Sequence, residues 1–219
     1  MKLFSLNSDI EAASLATMTN YLKFLAGIFL FAIAWSAMEP LSEDNWLLEM
    51  LPVFIALPVL FYLGRRFKIS HGSYTLIFIY LLMLVIQAHY GVGYVPIGVK
   101  LAHWFGTDRN VFDRFTHFFS GLFWFFPLYE MVVQSVGRRN FLDYMIPAAI
   151  ILALGSVYEI LEWLAFRYSG PHIAFLFIGA QDDFYDTPKD MAMALFGVIL
   201  AAAVLLIKNK IFPDRRRRE

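Results

Sequence analysis

Six long apolar runs constrain this chain more than any other feature. A helix needs roughly 17–25 mostly apolar residues to cross a bilayer. Of the 219 residues, 59% are hydrophobic and only 16% are charged, whereas soluble domains carry about 25% charged residues. The sequence therefore predicts an all-α polytopic membrane protein with six transmembrane helices, expected at Tyr21–Met38, Trp46–Leu63, Tyr74–Ala88, Phe115–Val133, Tyr144–Phe166 and Met191–Ile207.

The charges between these runs predict the orientation of the bundle. Loops 64–73 and 134–143 and the end of the chain are basic, whereas loop 39–45 is acidic. Because basic loops stay in the cytoplasm, both termini are expected on the cytoplasmic side. The chain then divides into a cytoplasmic N-terminal segment 1–20, a six-helix membrane domain 21–207 and a basic cytoplasmic tail 208–219.

The two longest loops, 89–114 and 167–190, are expected on the opposite side of the membrane. Each contains an apolar, aromatic-rich stretch, Tyr94–Phe105 in the first and His172–Ala180 in the second. Both stretches are too short to span a bilayer, so we expect them to lie in the interface or to fold back over the helix ends.

Composition excludes several functional classes. The chain has no cysteine, which excludes disulfides, thiolate nucleophiles and cysteine-ligated metals. The basic run Arg215–Arg218 follows a membrane span, where anionic lipid headgroups are the commoner partner, and nothing indicates a nucleic acid. A cleaved signal peptide is not expected, because the first apolar run follows Asp9 and Glu11 and is too long.

The first candidate site residues lie where the fourth span begins. Asp113 and His117 are four residues apart and therefore share one helix face. This spacing suits two metal ligands, or a carboxylate that orients a histidine base. The structural alternative is that Asp113 complements the positive N-terminus of the helix and His117 hydrogen-bonds to a neighbour.

A second group lies near the end of the fifth span. Glu159 and Glu162 are three residues apart, so both can face one side of the helix. Two carboxylates this close repel each other unless a cation or an arginine intervenes. The structural alternative is a set of ion pairs, with Arg114 and Arg167 as the expected partners.

A third group of four acids precedes the sixth span: Asp182, Asp183, Asp186 and Asp190. Carboxylates suit magnesium, calcium or manganese, so this charge density favours a divalent-cation site. For Asp190 the structural alternative is a capping box that starts at Thr187, with Pro188 at the first helical position.

The order and spacing of these groups resemble the motifs of the YjdF-like family of bacterial inner-membrane proteins. The motifs, within roughly residues 20–207, are Asp113-Arg114-Phe115-x-His117-Phe118, Tyr158-Glu159-x-x-Glu162-Trp163 and Gly179-x-Gln181-x-Asp183-x-x-Asp186-Thr187-x-x-Asp190-Met191. This resemblance implies a multi-pass protein of the bacterial inner membrane, but it implies no particular reaction. A more distant similarity to VanZ-like proteins implies a link to glycopeptide resistance.

Two functions fit these residues about equally. One is a cation-dependent site that acts on a lipid or lipid-linked envelope substrate, and the other is a non-catalytic protein that binds a lipid or an antibiotic. A proton-coupled transporter fits less well, because transport sites usually lie near the midplane between repeated halves. For the first function, the candidate catalytic residues are His117, Glu162 and Asp186, and the candidate metal ligands are Asp113, Glu159, Asp183 and Asp190.

Reporter fusions test the predicted orientation. Fusions after residues 68, 138 and 215 should report the cytoplasm, and fusions near residues 42, 100 and 175 should report the opposite side, because the basic loops stay inside. A cytoplasmic signal from the fusion near residue 175 would move the acidic groups inside and contradict the assignment.

Overall fold

The computed structural model describes residues 2–136, 140–168 and 183–211, with side chains from residue 18 onward. Within these residues it contains a short 3-10 turn, Val92–Tyr94, no strand, and seven α-helices. The helices are α1 (Lys2–Ser36), α2 (Glu43–Arg66), α3 (His71–Tyr90), α4 (Pro96–Phe105), α5 (Phe112–Val136), α6 (Leu142–Tyr168) and α7 (Asp186–Ile211). The prediction of an all-α protein is confirmed.

Each of the six predicted spans coincides with one long helix. Five helices, α1 from Met18 onward, α2, α3, α6 up to Ala165, and α7, are long and apolar enough to cross a membrane. The helix α5 is not among them. Its first turns and its end carry polar and charged side chains, including Asp113, His117 and Glu130. The count of six spans therefore stays a prediction.

Polar side chains fix several of the helix starts. Ser42 accepts a hydrogen bond from the Asn45 amide at 3.3 Å, and Ser70 accepts one from the Ser73 amide at 3.2 Å. Such caps satisfy amide groups that have no carbonyl partner within the helix. These caps fix the residues at which α2 and α3 begin.

The region between α3 and α5 folds back onto the bundle. Asn110 holds this region together, since its Nδ2 donates to the Val95 carbonyl at 3.0 Å and its Oδ1 accepts from the Phe112 amide at 2.9 Å. Gly98 of α4 packs directly against Asn110 and Phe112. Tyr94–Phe105 was expected to lie in the interface or to fold back over the helix ends, and most of it forms the short helix α4, which lies against α5. The other stretch, His172–Ala180, lies outside the described residues.

The helix α1 runs without a break from Lys2 into the first predicted span. The predicted boundary between residues 20 and 21 is therefore not the end of a helix. At the other end of the chain, α7 continues to Ile211, a few residues beyond the predicted span.

The helix α5 lies at the centre of the bundle, where it packs against α3, α4, α6 and most extensively α7. Two glycines allow the α5–α7 contact. A methyl group at Gly121 would overlap the backbone carbonyl of Ala194, and one at Gly197 would overlap the carbonyl of Phe118. Small residues let helix backbones approach closely in membranes, and here they bring the starts of α5 and α7 together.

Ala194 and Gly197 of α7 both face α5. The contact between α6 and α7 involves Gly155 and Ser156, which both lie near the sulfur of Met191. The helix α7 therefore uses different small residues towards its two neighbours.

The α5–α7 contact predicts a specific mutational effect. Gly121→Ala and Gly197→Ala should each lower the melting temperature of the purified protein, because overpacking costs about 1–3 kcal/mol and here the clash is with backbone. Gly27→Ala is the matched control, because a methyl group at Gly27 meets nothing within 4 Å. Equal melting temperatures for all three variants would contradict the proposed packing.

Candidate functional site

The predicted site residues of three helices meet at one end of the bundle. The residues of α5 and α7 lie in their first turns, and those of α6 lie in its last turns. All six residues are buried, with at most 8% of the surface of each residue exposed. They are Asp113, His117, Glu159, Glu162, Asp186 and Asp190.

His117 lies between two carboxylates. Its Nε2 is 3.7 Å from Asp113 Oδ1 and 3.4 Å from Glu159 Oε1. The Glu159 Oε1 atom is buried and has no hydrogen-bond partner among the described residues. The ring nitrogen therefore faces acidic oxygens at distances slightly longer than a normal hydrogen bond.

Asp190 completes a potential ligand set. One ligand atom each from Asp113, His117 and Asp190 lies within 4.8 Å of the other two. These three residues therefore lie close enough together to share one metal ion, and Glu159 Oε1 lies 3.4 Å from His117 Nε2 beside them.

Two arginines bridge α5 and the start of α7. Arg114 pairs with Asp190 and, at 2.7 Å, with Asp186 Oδ1. Arg109 pairs with Asp186 and lies 3.7 Å from Asp113 Oδ2. Guanidinium groups form strong paired hydrogen bonds with carboxylates, so these contacts fix the position of α7 against α5.

Arg109 was not predicted, although its spacing of four residues from Asp113 is a signal in the sequence. Arg167 was predicted as a counter-charge for the glutamates, and this was wrong for the described acids. Its side chain is exposed, and its guanidinium lies 5.7 Å from the centre of the Tyr168 ring. Arg109 adds a second arginine to the site, and its ion pairs are with Asp113, Asp183 and Asp186.

Asp183 lies towards the rim of the site. Lys189 Nζ donates to its two carboxylate oxygens at 2.9 and 2.7 Å, and this holds the pKa of Asp183 below its usual value. The carboxylate therefore stays ionised, and its contribution to stability is lost only as the pH falls through that lowered pKa. Asp183 also pairs with Arg114 at 3.1 Å, so the structure places this predicted metal ligand among cations rather than with His117.

The predicted capping box at Thr187 is replaced by other contacts. The helix begins at Asp186, the Thr187 hydroxyl hydrogen-bonds to the Glu159 carboxylate, and Asp190 pairs with Arg114. Asp190 therefore belongs to the site and not to a cap. Asp182 lies outside the described residues.

The polar layer continues beyond the predicted residues. Glu162 interacts electrostatically with Asp113, Glu159 and Glu49. Gln87 Nε2 of α3 donates to Glu49 Oε2 at 2.9 Å, and Thr116 Oγ1 donates to Gln87 Oε1 at 3.3 Å. Sequence reasoning missed this extension, although a glutamate within an apolar run is itself a signal.

Negative charge exceeds positive charge around His117. Among the described residues, six carboxylates face three cationic side chains, so three negative charges have no matching side-chain cation, His117 aside. The carboxylates are Asp113, Glu159, Glu162, Asp183, Asp186 and Asp190, and the cations are Arg109, Arg114 and Lys189. Like charges in a partly desolvated site repel strongly, so this arrangement suits a bound cation or shared protons.

Comparisons with known proteins cover nearly the whole bundle. The model of a family described as predicted membrane protein (DUF2238) matches residues 21–210. The inner membrane protein YjdF of Escherichia coli (strain K12) is 33% identical over 163 residues, which cover 74% of this chain and 77% of that protein. The resemblance inferred from the three motifs is confirmed. No solved structure matched the chain.

The role of Arg114 can be tested by substitution. Arg114→Gln should lower the melting temperature markedly, because removing one partner of a buried ion pair leaves uncompensated charge and costs about 3–5 kcal/mol. Arg167→Gln is the control, since that side chain is exposed, and it should change the melting temperature little. Similar losses for both variants would contradict the central position of Arg114.

Proposed function

This chain belongs to the DUF2238 family of predicted membrane proteins, and we propose that its buried acidic site holds a divalent cation and acts on a lipid or lipid-linked substrate of the cell envelope. The relative from Escherichia coli is named an inner membrane protein, and we assign this chain to the same membrane. The proposal concerns three points: the orientation of the bundle, the cation and the substrate.

We infer six spans with both termini in the cytoplasm. The helix α5 has the length of a span, at 25 residues, and is enclosed by α3, α6 and α7, so its polar side chains face neighbouring helices rather than lipid. The positive-inside rule then puts the candidate site on the non-cytoplasmic side. Molecules of the envelope are available on that side.

The cation proposal rests mainly on one observation, the group of buried ligand atoms around His117 Nε2. Glu159 Oε1 lacks a hydrogen-bond partner among the described residues and lies 3.4 Å from that nitrogen. Carboxylates suit magnesium, calcium and manganese, whereas imidazole favours transition metals. A mixed set of one imidazole and several carboxylates therefore favours manganese over magnesium or calcium.

The proposed roles follow from this ligand set. The same Nε2 atom of His117 cannot hold an ion and carry a proton, so we assign His117 to the metal together with Asp113, Glu159 and Asp190. Proton transfer then falls to Glu162, which is buried next to the ligands. A bound divalent ion supplies Lewis acidity, which polarises a phosphoryl oxygen or a water molecule.

The substrate proposal rests on the two arginines. Arg109 and Arg114 lie at the rim of the ligand set, each about 13–14% exposed, and a guanidinium group recognises phosphate by paired hydrogen bonds. A phosphate-bearing headgroup would replace part of their contact with Asp183 and Asp186. In this proposal Asp186 positions the arginines and is not itself a catalytic residue.

A thermal-shift experiment tests the cation. Protein stripped with a chelator should melt at a higher temperature after manganese is added, because a ligand that binds only the folded state stabilises it. His117→Ala and Asp113→Asn should lose this response, and Asp183→Asn should keep it, since Asp183 pairs with Lys189. If metal and chelator leave the melting curve unchanged while acidification stabilises the protein, the carboxylates share protons and the cation proposal is wrong.

Binding without catalysis is the second candidate, and it shares the same site. The enzyme and the binding protein can be distinguished by adding mixed micelles of phosphatidylglycerol to the protein in the presence of manganese. Micelles of phosphatidylcholine, which carries no net charge, are the control. Turnover of the anionic lipid that is lost in Glu162→Gln would support an enzyme. A rise in melting temperature with the anionic lipid but no turnover would support a binding protein.

A further inference from the structure

A second group of buried polar side chains lies between α2 and α3, outside the site around His117. Asn45 and Glu49 are each 1% exposed. Both polar atoms of the Asn45 amide, and Oε1 of Glu49, have no hydrogen-bond partner among the described residues. Nearly all buried polar atoms in proteins have a partner, so three such atoms on neighbouring turns indicate an additional ligand.

These atoms share one face of α2. Asn45 and Glu49 are four residues apart, so their side chains are neighbours on the helix surface. Opposite them on α3, Gln87 Nε2 donates to Glu49 Oε2 at 2.9 Å. One turn further along α3, Gly91 faces Asn45, because a methyl group there would lie 3.8 Å from Asn45 Nδ2. The Leu41 side chain packs at the same place, since its Cδ2 would lie 3.2 Å from that methyl group.

The charge of this group is not balanced. Glu49 forms no ion pair among the described residues, and Gln87 is its hydrogen-bond partner. Its electrostatic neighbours include the acidic Glu162 and the side chain of Tyr158. A buried carboxylate without a positive partner is costly, so Glu49 must take up either a cation or a proton.

We propose that Asn45, Glu49 and Gln87 form a second cation site, which binds one sodium ion. The available ligands are oxygen atoms, with one carboxylate and otherwise neutral amide groups. The set contains no imidazole and carries a single negative charge. Divalent ions usually bind several carboxylates, so this set matches a small monovalent cation.

Two further oxygens belong to residues that neighbour the proposed ligands. Thr116 Oγ1 lies 3.3 Å from Gln87 Oε1 and 3.1 Å from the Phe112 carbonyl. Within α2, Pro52 has no amide hydrogen, so the Leu48 carbonyl, which precedes Glu49 in the chain, lacks its helical donor.

The second site shares no ligand with the cation site proposed at His117. The charge of a sodium ion bound at the second site would nevertheless affect the first. Thr116 precedes His117 in α5, and Glu49 interacts electrostatically with Glu162. A sodium ion beside Glu49 makes the electrostatic potential at Glu162 less negative. Occupation of the second site should therefore weaken binding of a divalent cation at the first.

The test uses the full chain, purified in detergent at pH 8 with a chelator present. Replacing choline chloride by sodium chloride at constant ionic strength should raise the melting temperature in a saturable manner. Labelled sodium should bind at one ion per chain. Asp44→Asn is the matched control on the same helix, because Asp44 is exposed, and it should keep both responses, as should His117→Ala.

Glu49→Gln keeps the shape of the side chain and should abolish both responses. Asn45→Ala leaves the carboxylate in place and should weaken sodium binding at least tenfold. This variant provides a second test if Glu49→Gln fails to fold. A sodium response that survives in Glu49→Gln would overturn the proposal. A melting temperature that does not change with sodium but rises on acidification would also overturn it, because Glu49 would then carry a proton.

Discussion

The close contact between α5 and α7 is the constraint on which the rest of the site depends. At Gly121 and Gly197 the backbones of the two helices are so close that a methyl group would not fit between them. The helices run in the same direction, so their first turns lie side by side at one end of the bundle. The positive ends of two helix dipoles therefore meet there, and acidic side chains gather around them.

Arg114 converts this contact into a defined arrangement of charges. It projects from α5 and pairs with Asp186 and Asp190 of α7. Without a guanidinium group between the helices, these carboxylates would face Asp113 across a partly desolvated gap, where repulsion is strong. Elsewhere in the described bundle the interior is mainly apolar, with one core around Met50 and Val85 and another around Phe125 and Ala201.

Buried polar residues of this kind cost stability, so they are expected mainly where they serve a function. The polar layer crosses the bundle from Glu49 in α2 to Asp190 in α7, and most of its members are almost completely buried. A protein that needed only to fold would place apolar side chains at these positions. The unbalanced negative charge around His117 and the separate carboxylate at Glu49 are the basis of the two proposed cation sites, which differ in charge because the two ligand sets differ.

The sequence by itself determined the helices, because a backbone in lipid must satisfy its own hydrogen bonds and the apolar runs have the length of spans. It also predicted Asp113, His117, Glu159 and Asp190 as candidate site residues, because ionisable groups beside apolar runs are rare, and the structure brings these four together. Only the tertiary structure decided their partners. Arg109 pairs with the aspartates, Arg167 is exposed, Asp183 lies at the rim and Glu49 joins the layer, because ion pairs depend on which helix faces lie against each other. The sequence periodicity of α7 contains no information on whether Gly197 faces α5 or α6, and that choice of neighbour brings the first turns of α5 and α7 together.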